Sequence, residues 1–327
     1  MTWFENYLAC PVCKGSLLSE KDMYRCNVCN QKYPLYEGIP VLMPHLETLP
    51  GREDRSVFWN EGWKKQLENN NSLKGFGDAP GEEIKRRVEE DWKLLEGSLY
   101  TVEANREIVS GKVVLDIGCG AGSQGPIFES YGARYIGLDF SYNAAFYTQK
   151  YIRKIGGQGV GINGRAEYLP IKSNSVDFVF SHGVLHHTPK TQETFEEVYR
   201  CLKPGGSAAI GLYVTFSPVW IGIRARGWLA KVFSQNPNAK AWYHLTEGGW
   251  ITGNNVNPWT KTYTKRELTG MFTKAGFKTI KFRKSVFNFG NCVPIMGKYI
   301  DRTRFGRRFS KAVAPALGSM WCIALKK

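Results

Sequence analysis

The sequence predicts an α/β fold with a mostly parallel sheet, and three observations predict it. From residue 112 onward, short apolar runs alternate with helical patterns, as in successive βαβ units. The first run, Val113-Val114-Leu115, ends in Asp116 and a glycine-spaced turn, Gly118-Cys119-Gly120-Ala121-Gly122. A second run, Ile136-Gly137-Leu138, ends in another acid, Asp139, about twenty residues further on.

Strands are expected at about 112–117, 134–139, 158–163, 176–181, 206–214, 278–286 and 319–326, seven in all. Helices are expected between them at about 123–131, 141–154, 190–201 and 264–275. The region before the sheet is polar, and Trp59, Trp63 and Trp92 punctuate expected helices at about 56–69 and 81–109. Asn69 to Gly77 reads as a loop. The expected division is a small cysteine-bearing module at 1–45, a helical linker or lid at 46–110 and a main domain at 111–327. Within that domain, an insertion at about 215–263 carries no sheet pattern.

The 327 residues suit one large α/β domain with an appendage, and 43% apolar residues suffice for a full core. No apolar run reaches the roughly 18–20 residues of a spanning helix. Met1 to Asn6 lacks the basic start and apolar stretch of a signal peptide, so the expected location is cytoplasmic. Charge is strongly polarised. Residues 201–327 hold 21 Lys and Arg against 3 acids, whereas residues 1–200 hold 23 against 26. The basic C-terminal part points to an anionic partner or substrate: nucleic acid, a phospholipid surface or a phosphorylated molecule.

The turn after Val113-Val114-Leu115 must send a strand sharply into a helix while its backbone approaches a ligand. Glycines permit both the dihedrals and the approach. A dinucleotide fingerprint would place a third glycine five residues after Gly118, where Ser123 stands, so the loop departs from the NAD form. Asp139 is placed to accept the ribose hydroxyls of a bound nucleoside.

Four of the eight cysteines are grouped near the N-terminus. Cys10-Pro11-Val12-Cys13 and Cys26-Asn27-Val28-Cys29 form two C-x2-C knuckles, able to give four thiolates to one tetrahedral zinc. Four thiolates leave no open coordination position, so the zinc expected here is structural.

Three segments together resemble the class I S-adenosylmethionine-dependent methyltransferases: Val114–Gly122 (VLDIGCGAG), Gly137–Ser141 (GLDFS), and Gly164–Gly206, which includes GRAEYLPIKSNSVDFVFSHGVLHHTPK. Within that class they are most similar to the group holding the ubiquinone and menaquinone biosynthesis methyltransferases. The resemblance covers residues 100–215 well and the last strands loosely. It implies a Rossmann-like, mostly parallel seven-stranded sheet with S-adenosylmethionine as cofactor. It also implies that Asp116, Gly118, Cys119, Gly120 and Gly122 form the cofactor loop, the middle three lining the amino-acid part. Asp139 would hold the ribose, Phe140 would lie beside the adenine, and Ala166 and Glu167 would begin the loop over that ring. Many relatives carry an acid just before this alanine; here Arg165 stands there. Tyr33 to Leu42, after the second knuckle, is similar to small zinc-ribbon proteins that accompany methyltransferases. It also resembles the N-terminal ribbon of some ribosomal-RNA guanine methyltransferases.

Methyl transfer from a sulfonium mainly asks the protein to align the acceptor and exclude water. A base is needed only where the acceptor must lose a proton. Three of the five histidines lie in Ser181 to Thr188, after the fourth strand of the sheet. His186 and His187 are the candidate bases, His182 is a candidate cofactor contact, and His244 in the insertion is an outside candidate.

Residues 213–263 contain ten aromatics, among them Trp220, Trp228, Trp242, Trp250 and Trp259. Ser217-Pro218 starts a helix that runs to about Phe233, carries Arg224, Arg226 and Lys231, and suits a membrane surface or a lid over an apolar acceptor. The leading expectation is methylation of an oxygen or nitrogen on a small, lipid-like, glycan or natural-product acceptor. RNA is the alternative, on the charge and the ribbon, although no Asn/Asp-Pro-Pro-Tyr signature follows the fourth strand. A non-catalytic cofactor-binding subunit is the third reading.

Overall fold

The computed structural model describes residues 2–44, 58–64, 80–94, 104–120, 122–233, 259–285 and 303–327. The Asn69 to Gly77 loop, His244, Trp242 and Trp250 lie outside these residues.

The N-terminal segment opens with a 3-10 turn, Trp3–Tyr7, and forms a four-stranded antiparallel meander. Its strands are β1 (Leu17–Glu20), β2 (Met23–Cys26), β3 (Lys32–Tyr36) and β4 (Ile39–Pro40). Among the described residues, three helices follow: α1 (residues 58–64), α2 (Gly81–Leu94) and α3 (Arg106–Val109). Of the helix expected at 81–109, residues 95–103 lie outside the described residues; a new helix starts at Arg106, capped by the Asn105 side chain, which accepts from the Ile108 N–H. An Asx cap offers the chain a fresh helix start, and this explains the new helix.

The sheet begins at β5 (Val113–Ile117), buried along its whole length. It continues through α4 (Gly125–Ser130), β6 (Arg134–Asp139), α5 (Tyr142–Lys154) and β7 (Val160–Asn163). The chain then crosses to β8 (Val176–His182), α6 (Thr191–Cys201) and β9 (Leu202–Tyr213). It closes with α7 (Pro218–Phe233), α8 (Lys265–Ala275), β10 (Thr279–Ser285), α9 (Arg304–Leu317) and β11 (Met320–Lys326). The strand order is β10-β11-β9-β8-β5-β6-β7. The pairs from β9 to β7 are all parallel, and β11 alone runs against its neighbours. This is the mostly parallel, Rossmann-like seven-stranded sheet.

The seven strands fall within a few residues of their expected places. The largest difference is β9, which starts at Leu202 rather than at 206. Val176 pairs with Leu202 and Phe178 with Ser207, so Lys203 to Gly206 bulges from the ladder, with Gly205 at φ 76°. Chain order reverses between β5 and β8, which puts a crevice at the carboxyl ends of these strands.

The ribbon does not stand apart from the sheet. Val41 bridges Asn163 in parallel and Leu42 N–H donates to the Asn163 carbonyl, so the chain after β4 extends the sheet beyond β7. Leu8 bridges Ile171, and Ala9 N–H donates to Pro170 O. Phe4, Leu8, Tyr24 and Leu42 share one apolar core with Leu138, Ile162, Leu169 and Ile171. Lys14 adds an ion pair to Glu197 of α6 at 2.6 Å and donates to the Leu169 carbonyl.

On the other face of β7, α5 lies close because Gly161 has no side chain. A Cβ there would strike the Ala145 carbonyl. Gly161→Ala is therefore expected to destabilise by about 1–3 kcal/mol and to lower the thermal midpoint by several degrees. Gly222→Ala, in α7 with open space at its Cβ, is expected to leave the midpoint unchanged or slightly higher in the same melting experiment.

Candidate functional site

The site is built at the carboxyl ends of β5, β6 and β8. Gly118, Gly120 and Gly122 have φ values of 78°, 55° and 75°, the left-handed region that a Cβ disfavours. All three also face close neighbours: a Cβ on Gly118 would strike the Val184 side chain, one on Gly120 would meet the Trp63 ring at 2.8 Å, and one on Gly122 would meet Thr148 Cα at 2.6 Å. The loop is tied to β6 through backbone bonds from Gly118 and Cys119 N–H to the Leu138 carbonyl.

Asp139 links the two halves of the crevice. One carboxylate oxygen accepts from Gly120 N–H at 2.9 Å and the other from Ser141 N–H at 2.8 Å. Asn163 on β7 holds the turn beneath, its side-chain amide donating to the Asp139 and Phe140 carbonyls. Burial raises the Asp139 pKa to about 6, against the N–H groups of Ser141, Gly120 and Phe140, which lower it. Asp116 is turned inward: it accepts from the Tyr135 hydroxyl at 2.6 Å and is 1% exposed. Cys119 is also buried and accepts from the Thr148 hydroxyl at 3.2 Å.

The far wall carries Phe140, Ala166 and Glu167. Glu167 forms an ion pair with Arg165 at 3.2 Å, and both are buried. The Arg165 guanidinium also lies 5.4 Å from the Phe140 ring centre and 5.9 Å from that of Tyr168. The residue that departs from the resemblance therefore engages the acid two positions later.

The histidines lie in the near wall, after β8. His182 ends that strand, and burial lowers its pKa to about 4. His186 is fully buried, and its ring rests 3.6 Å from the Tyr213 ring centre at 31°. Neither of its ring nitrogens has a hydrogen-bond partner among the described residues. Burial, with the neighbouring His187 and His182, pushes its pKa well below the usual 6.5. His187 differs: its Nδ1 lies 3.1 Å from the Trp259 carbonyl and 2.8 Å from the Thr260 hydroxyl. A carbonyl only accepts, so the Trp259 contact is a hydrogen bond in the tautomer with the proton on Nδ1, which leaves the lone pair on Nε2.

Sequence reasoning expected residues 46–110 as a linker or lid but named no site residue on α1. Trp59 lies 5.1 Å from the His187 ring, Trp63 abuts Gly120, and Asn60 accepts from the Ser141 hydroxyl at 2.8 Å. The available signal was the spacing of Trp59 and Trp63, four apart and so on one helix face. Asn163, Tyr213 and Thr260 carried no comparable signal.

The second cluster is Cys10, Cys13, Cys26 and Cys29, whose sulfurs all lie within 4.8 Å of one another. Cys13 and Cys26 are 3.4 Å apart, and Cys10 and Cys29 3.6 Å. A tetrahedron of Zn–S bonds near 2.3 Å spaces sulfurs at about 3.8 Å, so the donor set fits zinc. Each knuckle ends in a left-handed residue, Lys14 and Asn30, whose N–H groups donate back to the Cys10 and Cys26 carbonyls.

Residues 115–210 match the family model described as a methyltransferase domain. The match covers less than a third of the chain and falls on the Rossmann-like part of the sheet, from β5 to β9. An uncharacterised methyltransferase of Mycobacterium ulcerans is 30% identical over 115 residues, 35% of this chain and 44% of that protein. Demethylmenaquinone methyltransferase of Oceanobacillus iheyensis is 28% identical over 189 residues, 54% of this chain and 74% of that protein. Sterol 24-C-methyltransferase of Saccharomyces cerevisiae is 34% identical over 110 residues, 32% and 28% of the two chains. The chain spans less than half the length of the first curated relatives that it matches.

The two buried aspartates make stability depend on pH. Burial raises Asp116 to about 7, the Tyr135 hydroxyl opposing and Asp139 reinforcing the shift. An unfolded chain titrates aspartate near 3.9. The folded state thus keeps a proton that the unfolded chain releases. This stability is full below about pH 4 and is lost as pH rises through about 7. Asp139 acts in the same sense up to about 6. In Asp116→Asn, the melting midpoint is expected to vary less between about pH 5 and about pH 8 than in wild type. An undiminished pH dependence would remove Asp116 as its source.

Proposed function

We propose that the chain is an S-adenosylmethionine-dependent methyltransferase that methylates an oxygen or nitrogen atom of a small, lipid-like, glycan or natural-product acceptor. The observation that carries this reading is the left-handed glycine loop clamped to Asp139, inside the segment that matches the methyltransferase domain. The cofactor supplies a methyl group already activated on sulfur. Gly118, Cys119 and Gly120 would take its amino-acid part, with Asp116 and Gly122 bracing the loop. Asp139 would accept the ribose hydroxyls on lone pairs that its two N–H partners leave over. Phe140, Ala166 and Glu167 would wall the adenine, with Glu167 oriented by Arg165, and His182 would border the methyl end.

We assign the base to His187 rather than His186. An O–H or N–H acceptor must lose a proton, and His187 has its lone pair set on Nε2 by the Trp259 carbonyl. His186 packs on Tyr213 and supports its neighbour. His244 has no part in this assignment. Lipid-like acceptors are supported by two relatives named for a sterol and for demethylmenaquinone. Such an acceptor also suits work at a membrane surface, with residues 46–110 as linker and lid over the main domain at 111–327. RNA is the second reading, favoured by the 21 basic residues against 3 acidic ones in residues 201–327.

The test is transfer from methyl-labelled cofactor to fractionated cell extract, with cofactor binding followed by calorimetry. One cofactor per chain and label in the organic-soluble fraction are expected. Label in RNA would select the second reading, and absence of cofactor binding would overturn both. His187→Phe is expected to lose about 100-fold or more in turnover while still binding cofactor, and His186→Phe to retain most activity. Equal activity in both would reject the assignment.

We read residues 1–45 as a ribbon holding one structural zinc on Cys10, Cys13, Cys26 and Cys29. Protein made with zinc present is expected to contain about one equivalent per chain, and Cys26→Ser to contain little and to melt earlier. Less than about half an equivalent in wild type would count against the site.

A further inference from the structure

The search for a further function leads away from the crevice, to α7 and α9. Pro218, Ile221, Ala225 and Trp228 are all exposed on α7. At 100° per residue they fall within an arc of about 80°, so they form one apolar stripe. The opposite side of the helix carries Val219 and Trp220, which are buried, the Trp220 indole donating to the Ser319 carbonyl. Ile221 is 55% exposed, Trp228 64% and Phe216, just before the helix, 68%.

A second apolar face adjoins this one. On α9, Phe309, Ala312 and Ala316 are exposed beside Arg308. The Lys284 ammonium donates to the carbonyls of both Phe216 and Ala316, so the approach to α7 and the end of α9 meet at one point. Phe216 and the 40% exposed Leu317 flank that point. The edge strand β10, against which α9 packs, adds exposed Lys281 and Arg283.

Charge identifies the occupant. Neither helix contains an acidic residue. Arg224 of α7 is turned inward, donating to the Thr215 carbonyl and the Thr262 hydroxyl, whereas Arg308 of α9 is exposed with Lys281 and Arg283 beside the apolar face. Across residues 201–327, 3 acids cannot neutralise 21 bases. A second copy of this chain docking through the same face would bring the same charge and be repelled. A nucleic acid would meet the charge and stack on an exposed Trp, but would gain nothing from the exposed aliphatic Ile221 and Leu317. An anionic bilayer rewards both features: its headgroups attract the bases, and its interface takes up Trp, Phe and aliphatic side chains.

We propose that α7 and α9, joined at Lys284, form a docking surface for an anionic lipid bilayer. The inference rests on the lipid-like reading of the acceptor for its purpose, but docking is measured without turnover, so the two fail separately. The full chain is mixed with sedimentable vesicles of phosphatidylcholine alone, or with about 30% phosphatidylserine, in about 0.1 M salt. Co-sedimentation with the anionic vesicles is expected, and it should fall at least about tenfold without phosphatidylserine or in about 0.5 M salt. Ile221→Ser with Trp228→Ser is expected to weaken vesicle binding about tenfold or more, with the melting midpoint and cofactor binding unchanged. Absence of vesicle binding, or binding indifferent to phosphatidylserine or to the double substitution, overturns the proposal. So does salt-sensitive binding to single-stranded RNA that the double substitution leaves intact and that vesicles do not compete away.

Discussion

The grip of Asp139 on two backbone N–H groups is the constraint on which the rest of the crevice depends. Gly120 belongs to the loop after β5, and Ser141 to the turn that opens α5. A single carboxylate therefore sets the spacing between two βα turns. That geometry in turn fixes neighbours: Asn163 reaches under the turn from β7, and Asn60 of α1 bonds the Ser141 hydroxyl above it. The carboxylate also resists ionising there, because burial outweighs its N–H donors. Such a group gains from any ligand that replaces the lost water with hydroxyl donors.

A wall of tilted, closely packed rings stands opposite this polar clamp. Trp59, His187, His186, Tyr213 and Trp220 follow one another with ring centres 3.6–5.1 Å apart. Flat side chains lose little rotamer freedom on stacking, so the wall is stiff as well as apolar. The crevice thus has one side made of hydrogen-bond geometry and one of packed aromatic faces.

Much of the fold was legible in the sequence because buried parallel strands leave continuous apolar runs. Val113-Val114-Leu115 and Ile136-Gly137-Leu138 were readable for that reason, and the glycine loop because positive φ demands glycine. The start of β9 at Leu202 was hidden by Pro204 and the two glycines, which read as a loop and prove to be a bulge in a ladder. The crevice was less legible than the sheet. Residue type marked Asp139 and the histidines, but type does not say that Asp116 faces Tyr135, that Glu167 is taken by Arg165, or that α1 folds over Gly120. These are contacts between segments far apart in the chain, and no local pattern encodes them. The ribbon shows the same limit: its cysteine spacing was plain, but its union with the core was not.

That union has a consequence for how the chain is made. The ribbon's own contacts lie within its first four strands, so it can assemble as soon as they leave the ribosome. Its docking partners come much later: Lys14 waits for Leu169, 155 residues on, and for Glu197, 183 residues on. Until then Phe4, Leu8, Tyr24 and Leu42 have no core to enter, and the early folded module presents a sticky underside. Once β7 is in place, Val41 and Leu42 pair with Asn163 at its edge, with chain already attached to it. The β7 rim, where a strand of another molecule would add, is thereby blocked in cis at Asn163, and only β10 is left as an edge among the described strands of this sheet.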